Sequence, residues 1–326
     1  MGWHIKPRGV FNKPMPSSLS KAKACLLCQV VGDSLGSLVE FESEETIRQQ
    51  HPVERVRYLV DGGTWETLAG QGTDDSELAI TLARTLIQQG YYSSTVARTM
   101  YRYWLNSKPF DLGRTTQNGI LGNYDFHSQA NGALMRVSPL GIFGAKKDIR
   151  QAMVWAMEDA LVTHPNPVCL HINALYVSMI AQAISSDLAT PDLLYANLVS
   201  TAVDMGTHPI ILEAIDRAGT APPGNYMDNM GWVIIAFQNA IYQLLHAPSL
   251  TEGIVDTVNR GGDTDTNGAI AGALLGSVYG MENVPHDWYD GVLQCKPSKN
   301  NPFSKQPRPE FFWTNDVLEV AENLLG

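Results

Sequence analysis

Cysteine is scarce: Cys25, Cys28, Cys169 and Cys295 are the only four in 326 residues, too few and too scattered for a disulfide framework. The chain must therefore hold together by burial, for which 44% hydrophobic composition is ample, and a cytoplasmic, reducing location is expected. Cys25 and Cys28 form C-x-x-C inside "KAKACLLCQVV", with no second pair or nearby histidine. Core packing is the first reading of that pair, redox or metal chemistry the second. Positive charge is also in deficit, 23 Lys and Arg against 33 Asp and Glu, a net charge of -10 and a pI near 5.2. That balance excludes a nucleic-acid binder driven by phosphate neutralisation. The chain opens without the apolar core of a secretory signal and fails the myristoylation pattern at Lys6. With no other segment expected to span a bilayer, no membrane association is expected. Alternating runs of period two are rare, which argues against a sheet.

What is present reads at the helical period. "DDSELAITLARTLIQQG" sets Leu78, Leu82 and Leu86 in one stripe and ends on Gly90, a natural C-cap. Similar patterns run through "AKKDIRQAMVWAMEDALVTH", "CLHINALYVSMIAQAISSD", "PDLLYANLVSTAV", "WVIIAFQNAIYQLLHA" and "NDVLEVAENLLG". Pro and Gly fall between them, in "TAPPGNYMDNMG" and "KPSKNNPFSKQPRPE", marking loops. The expected fold is all-α, a single compact multi-helix domain over residues 21–326, preceded by a flexible N-terminal arm over 1–20. Lys6, Arg8, Lys13, Lys21 and Lys23 make residues 1–23 basic, with no acidic residue among them. That arm is either a solvated tail or a partner-binding segment.

Two acidic stretches stand out. "NRGGDTDTNGAIAGALLG" places Asp263, Asp265 and Asn267 at alternate positions before a glycine, the opening of an EF-hand loop. The twelfth position is Leu274 where that loop needs a glutamate. Gly268, Gly272 and Gly276 form a small-xxx-small ridge, but the apolar run is about half of the roughly 20 residues a bilayer requires. It reads as a soluble helix packed very closely on a neighbour. In "GQGTDDSELAI", Thr73, Asp74 and Asp75 open another helix; alone this is N-capping. Together with Asp263, Asp265 and Thr266 it duplicates an oxygen-only set, and clustered carboxylates repel unless cations neutralise them. Hard oxygen ligands without His or Cys favour Mg²⁺, Mn²⁺ or Ca²⁺ over Zn²⁺. Two ions roughly 3.5–4 Å apart would be a natural occupancy.

A competing motif is "GDSLG", Gly32 to Gly36, which satisfies the G-x-S-x-G nucleophile elbow and would make Ser34 a GDSL-type esterase nucleophile. None of the eight histidines has an aspartate three residues before it, and no strand-helix series surrounds the motif.

"GDSLGSLVEF", "GTDDSELA", "ANGALMRVSPLG", "VTHPNP", "MGWVIIAFQNAI" and "NRGGDTDTNGAIAGALLGSVYG", in that order, resemble the ADP-ribosylglycohydrolase family, including its dinitrogenase-reductase branch, from about Lys21 to near Tyr289. The resemblance implies an all-α fold with two Mg²⁺ or Mn²⁺ ions that cleaves ADP-ribose from protein side chains. By matching positions, Thr73, Asp74, Asp75, Asp263, Asp265 and Thr266 correspond to metal ligands, and Glu40 to a mobile glutamate beside them. Asp111 corresponds to an active-site acid. Asn131, Gly132 and Ala133 correspond to a phosphate-binding turn, in which Ala130 replaces the usual serine. His164 corresponds to an ADP-ribose contact and Trp232 to an aromatic that stacks on adenine. Taken alone, His164 would be a loop histidine, Trp232 a core residue and 131–133 an ordinary turn.

The expected activity is thus metal-dependent removal of ADP-ribose from a modified protein, arginine the first choice of linkage, with Glu40 or Asp111 moving the proton and Asp74 and Asp265 holding the catalytic ions. The alternative is an immunity protein whose basic arm blocks an ADP-ribosyltransferase toxin, and the two can coexist.

Overall fold

The computed structural model describes residues 16–326. The basic arm lies, for residues 1–15, outside them, while Ser18 to Ser20, expected in the arm, form the first turn of a helix capped by the Ser17 side chain. Among the described residues, fifteen α-helices follow one another: α1 Ser18–Gly36, α2 Glu44–Gln50, α3 Asp74–Gln89, α4 Ser94–Asn106, α5 Arg114–Leu121, α6 Ser138–Gly144, α7 Ile149–Leu161, α8 Pro167–Ser185, α9 Pro191–Asp204, α10 Pro209–Ala218, α11 Val233–His246, α12 Leu250–Val258, α13 Thr264–Tyr279, α14 His286–Gln294 and α15 Val317–Leu325. Among the same residues the only β-type pairings are three isolated bridges, so the all-α expectation holds.

The local signals act as read. Leu78, Leu82 and Leu86 of α3 are buried, and the helix stops at Gly90 in the left-handed conformation (φ 73°). Pro191 and Pro209 open α9 and α10 at a position where a missing N–H costs nothing. One apolar cluster extends from Ala22 to Leu325.

Its centre is the pair α1 and α13. Gly268 lies on Gly32, Gly272 on the Cys28 backbone and Gly276 on the Ala24 backbone; the registers run in opposite directions, so the helices are antiparallel. The glycine ridge is thus a helix-packing device in a soluble core, as expected, and Gly32 and Gly36 of "GDSLG" supply its other half. Cys25 and Cys28 are buried beside this seam and burial pushes both thiols up, which fits packing and not redox chemistry. One expectation needs correcting: α8 is long and apolar enough to cross a membrane. Most of it is buried inside the fold, packed on α7 and α6, which explains its composition.

The segment 296–316, of which 296–310 was read as loop, is a strap laid across α3 and α4. Phe312 is buried, the Trp313 indole donates to the Arg308 carbonyl (2.9 Å), and Arg84 of α3 holds Asp316 (2.8 Å).

Candidate active site

Antiparallel packing brings the end of α1 to the start of α13: a β-carbon on Gly36 would collide with the Asp265 backbone. From α1, Asp33 reaches the start of α3, accepting from the Thr73 and Ser76 amides at 3.0 Å and from the Ser76 hydroxyl. Asp33 therefore caps α3. Thr73, the residue expected to cap it, makes no side-chain cap bond; its hydroxyl donates instead to Asp75 Oδ2 at 3.2 Å. Asp74 and Asp75 are thereby freed from capping.

The double glycine before Asp263 brings in the next acid. Gly261 and Gly262 sit at φ 78° and 79°, in the left-handed region. Their loop pairs with the α1–α2 connection: the Phe41 amide donates to Gly262 O (2.8 Å) and the Gly262 amide to Glu42 O (2.9 Å). Glu40 is thus laid beside Asp263 and Asp265, with Oε2 accepting from the Trp65 indole at 2.6 Å.

Two groups of carboxylates result. Asp33, Asp75 and Asp265 each offer an oxygen within 4.8 Å of the others, and so do Glu40, Asp263 and Asp265. Asp265 belongs to both. Thr266 Oγ1 donates to Asp75 Oδ2 at 3.4 Å, while Asp75 Oδ1 is buried with no partner. No lysine or arginine among the described residues pairs with any of these acids.

Burial, joined for all but Asp33 by the neighbouring carboxylates, raises the pKa values of Asp33, Glu40, Asp74, Asp75, Asp111 and Asp265. Burial, then Asp111 and Asp263, pushes Glu40 up to about 9; burial, then Asp74 and Asp263, does the same for Asp111. Asp74 is pushed up to about 7 and Asp33 to about 6, burial being the first cause in each. Asp75 and Asp265 are raised well above the usual range for the same reason. An orphaned buried oxygen, hard oxygen donors and uncompensated negative charge fit divalent cations.

Beside these acids opens a cavity of about 330 Å³ lined by Glu40, Asp74, Asp111, Asp263, Asp265 and Thr266. Asn131, Gly132 and His164 also line it. Thr73, Asp75 and Ala133 are fully buried behind its wall. Asn131 is tied to the acids, its side-chain amide donating to Asp263 Oδ2 at 2.7 Å. The expected cradle of backbone amides is reduced, because the Asn131 N–H is already used by Gly231 O (3.0 Å). His164 is buried, with Nδ1 on the Thr163 hydroxyl (2.7 Å) and Nε2 without a partner. Burial, with Arg136 nearby, lowers its pKa to about 3, so the ring is neutral and can offer one nitrogen to a ligand. Gly132 lies under that ring, where a β-carbon would stand 3.1 Å from Cε1.

Trp232 is not brought into this cavity. Its indole donates to Gln129 Oε1 (2.8 Å), and its ring lines a neighbouring pocket of about 290 Å³ with Arg217 and Asn225. Its two predecessors, Met230 and Gly231, line the main cavity instead. Ser34 is buried inside α1 and not at a strand-to-helix turn, so the esterase alternative loses its geometry. Sequence reasoning missed Asp33 and Trp65. The only available signal for Asp33 was its place one turn before Gly36 in a helix that had to lie against the acid-bearing one.

An acid-walled cleft between helix N-termini in an all-α fold offers carboxylates that could hold a cation and lacks the geometry of a serine hydrolase. The chain belongs to the ADP-ribosylglycohydrolase family, whose model matches residues 14–324, hydrolases that act on glycosyl bonds. The match extends beyond Tyr289, where the motif resemblance ends, and takes in the strap. The ADP-ribosyl-[dinitrogen reductase] glycohydrolase of Rhodospirillum rubrum is 29% identical, covering 84% of this chain and 90% of that protein. The ADP-ribosylarginine hydrolase Tri1 of Pseudomonas putida is 26% identical, covering 84% and 75%. A solved structure titled ADP-ribosylglycohydrolase-related protein complex superposes with a TM-score of 0.76 at 22% identity, over 95% of this chain and 98% of that one; it shares the fold.

Proposed function

We propose that this chain hydrolyses the bond between ADP-ribose and a protein side chain, arginine being the linkage attacked, with two Mg²⁺ or Mn²⁺ ions held by Thr73, Asp74, Asp75, Asp263, Asp265 and Thr266. The observation that carries the reading is the position of Asp265 in both carboxylate groups, each of which could hold a cation. When bound, such ions supply charge to orient the ribose hydroxyls and to polarise a water.

The chain's own residues supply the rest. Asn131 and Gly132 meet the pyrophosphate, aided by the unpartnered Nε2 of neutral His164. Asp111, which lines the cavity, passes a proton to the departing side chain, while the Trp65 indole holds Glu40 beside the acids. Arginine is favoured because the two relatives named above carry the dinitrogen-reductase and ADP-ribosylarginine titles and because an acidic cleft attracts a guanidinium.

The test is release of ADP-ribose from arginine-linked and serine-linked proteins with Mn²⁺, Mg²⁺ or chelator. Release from the arginine-linked substrate, abolished by chelator and by Asp263→Ala, is expected; full activity of Asp263→Ala or of the chelated protein would remove the assignment.

A further inference from the structure

The strap carries a buried arginine whose donors are all engaged. Arg308 Nε and Nη2 clasp the two carboxylate oxygens of Glu77 at 2.7 and 2.8 Å. Nη1 donates to the carbonyls of Ser107 (3.1 Å) and Lys108 (3.2 Å), and Nη2 also to the Ser107 hydroxyl (2.7 Å). This accounts for the whole fork of a guanidinium. The Arg308 and Glu77 side chains are each 4% exposed, and Glu77 is held further by the Trp104 indole at 2.7 Å.

The anchors are placed next to the cleft acids. Glu77 lies one helical turn after Asp74 on α3, and Lys108 lies three residues before Asp111. A neighbour on the same strap reaches the third acid-bearing segment: Gln306 Nε2 donates to Trp65 O at 3.0 Å, and the Trp65 indole holds Glu40 at 2.6 Å. Asp74, Asp111 and Glu40 come from segments that the strap ties together from behind.

We propose that Arg308 is a positioning residue for hydrolysis, setting α3, with Asp74 and Asp75, in register with the 107–113 loop, which carries Asp111. The proposal rests on the functional reading above. A buried ion pair contributes little net stability compared with apolar packing of the same volume, whereas a planar fork with every donor spent specifies geometry that a lysine cannot reproduce. Catalysis is sensitive to that geometry, since a misplacement of about 1 Å can cost on the order of a hundredfold in rate.

The experiment compares wild type, Arg308→Lys and Arg84→Gln. Arg84 is a control of the same kind, since it also clasps the strap, through Asp316 and the Trp313 carbonyl, but from well along α3 and away from the cleft. Arg308→Lys is expected to lower kcat for ADP-ribose release roughly tenfold or more, with KM within about threefold, and to weaken Mn²⁺ binding measured by titration calorimetry without substrate. Arg84→Gln is expected to lower the melting temperature while retaining kcat and Mn²⁺ affinity. Should Arg308→Lys be recovered unfolded, Ser107→Ala carries the test: it trims one acceptor and keeps the ion pair, and a kcat loss of about threefold supports the proposal. Unchanged kcat and Mn²⁺ affinity in a folded Arg308→Lys, unchanged kcat in Ser107→Ala, or equal kcat losses in the Arg308 and Arg84 variants would overturn it. Wild-type protein that releases no ADP-ribose removes the functional reading instead, and the calorimetric comparison still decides whether Arg308 sets the cleft.

Discussion

Gly32 of α1 and Gly268 of α13 touch backbone to backbone: a β-carbon on either would overlap the carbonyl oxygen of the other. Helix propensity alone would make Gly268→Ala stabilising by about 1 kcal/mol. The contact decides otherwise, because a helix carbonyl cannot swing aside as a side chain can, and overpacking costs typically about 1–3 kcal/mol or more. Net destabilisation in urea is expected, together with weaker Mn²⁺ binding, since Asp265 starts the same helix. A Gly268→Ala variant as stable as wild type would show that the two helices separate freely.

Asp265 belongs to both carboxylate groups, so Asp265→Asn separates function from stability. Mn²⁺ binding and ADP-ribose release should both be lost. The metal-free variant should nevertheless melt higher than metal-free wild type at pH 8, because one buried, repelling carboxylate is gone. A lower melting temperature in the absence of metal would mean that the carboxylate is structural.

The raised carboxyls set a pH dependence for the metal-free protein. Folded values of about 9 for Glu40 and Asp111, about 7 for Asp74 and about 6 for Asp33 lie above the roughly 4 of an unfolded chain. Between those limits the folded state binds more protons, so the stability these groups contribute is fully present below about pH 4. It is lost as pH rises toward 9, with a slope of at most about 1.4 kcal/mol per pH unit for each group. Mn²⁺ should therefore raise the melting temperature more at pH 8 than at pH 5.5, which differential scanning fluorimetry would read. An equal increment at both values would contradict the charge argument.

Deleting residues 1–15 removes Lys6, Arg8 and Lys13 and none of the residues proposed for the site. Hydrolysis should be unchanged in the truncated chain. If the basic arm blocks an ADP-ribosyltransferase, the same truncation should weaken binding to that enzyme in a pull-down with purified components; unaltered binding to every transferase tried would retire the arm as an inhibitor.

Much of the site was legible because its acids sit where local rules place them. Asp74 and Asp75 follow a glycine turn at a helix start, and Asp263 and Asp265 follow a double glycine with left-handed geometry. The part that was not legible depends on what lies opposite. Trp232 occupies a motif position yet turns toward Gln129, and the Asn131 amide is consumed by Gly231; no residue spacing encodes either choice.

The sequence by itself determined the helices, the glycine seam that must meet a close neighbour, and two acid pairs that demand neutralisation, since each follows from short-range periodicity, backbone freedom or like charge. Only the tertiary structure decided that Asp33 caps α3, that Trp65 holds Glu40, and that Arg308 joins segments some two hundred positions apart. Those are choices of partner, and a partner distant in the chain is selected by the packing of the whole core.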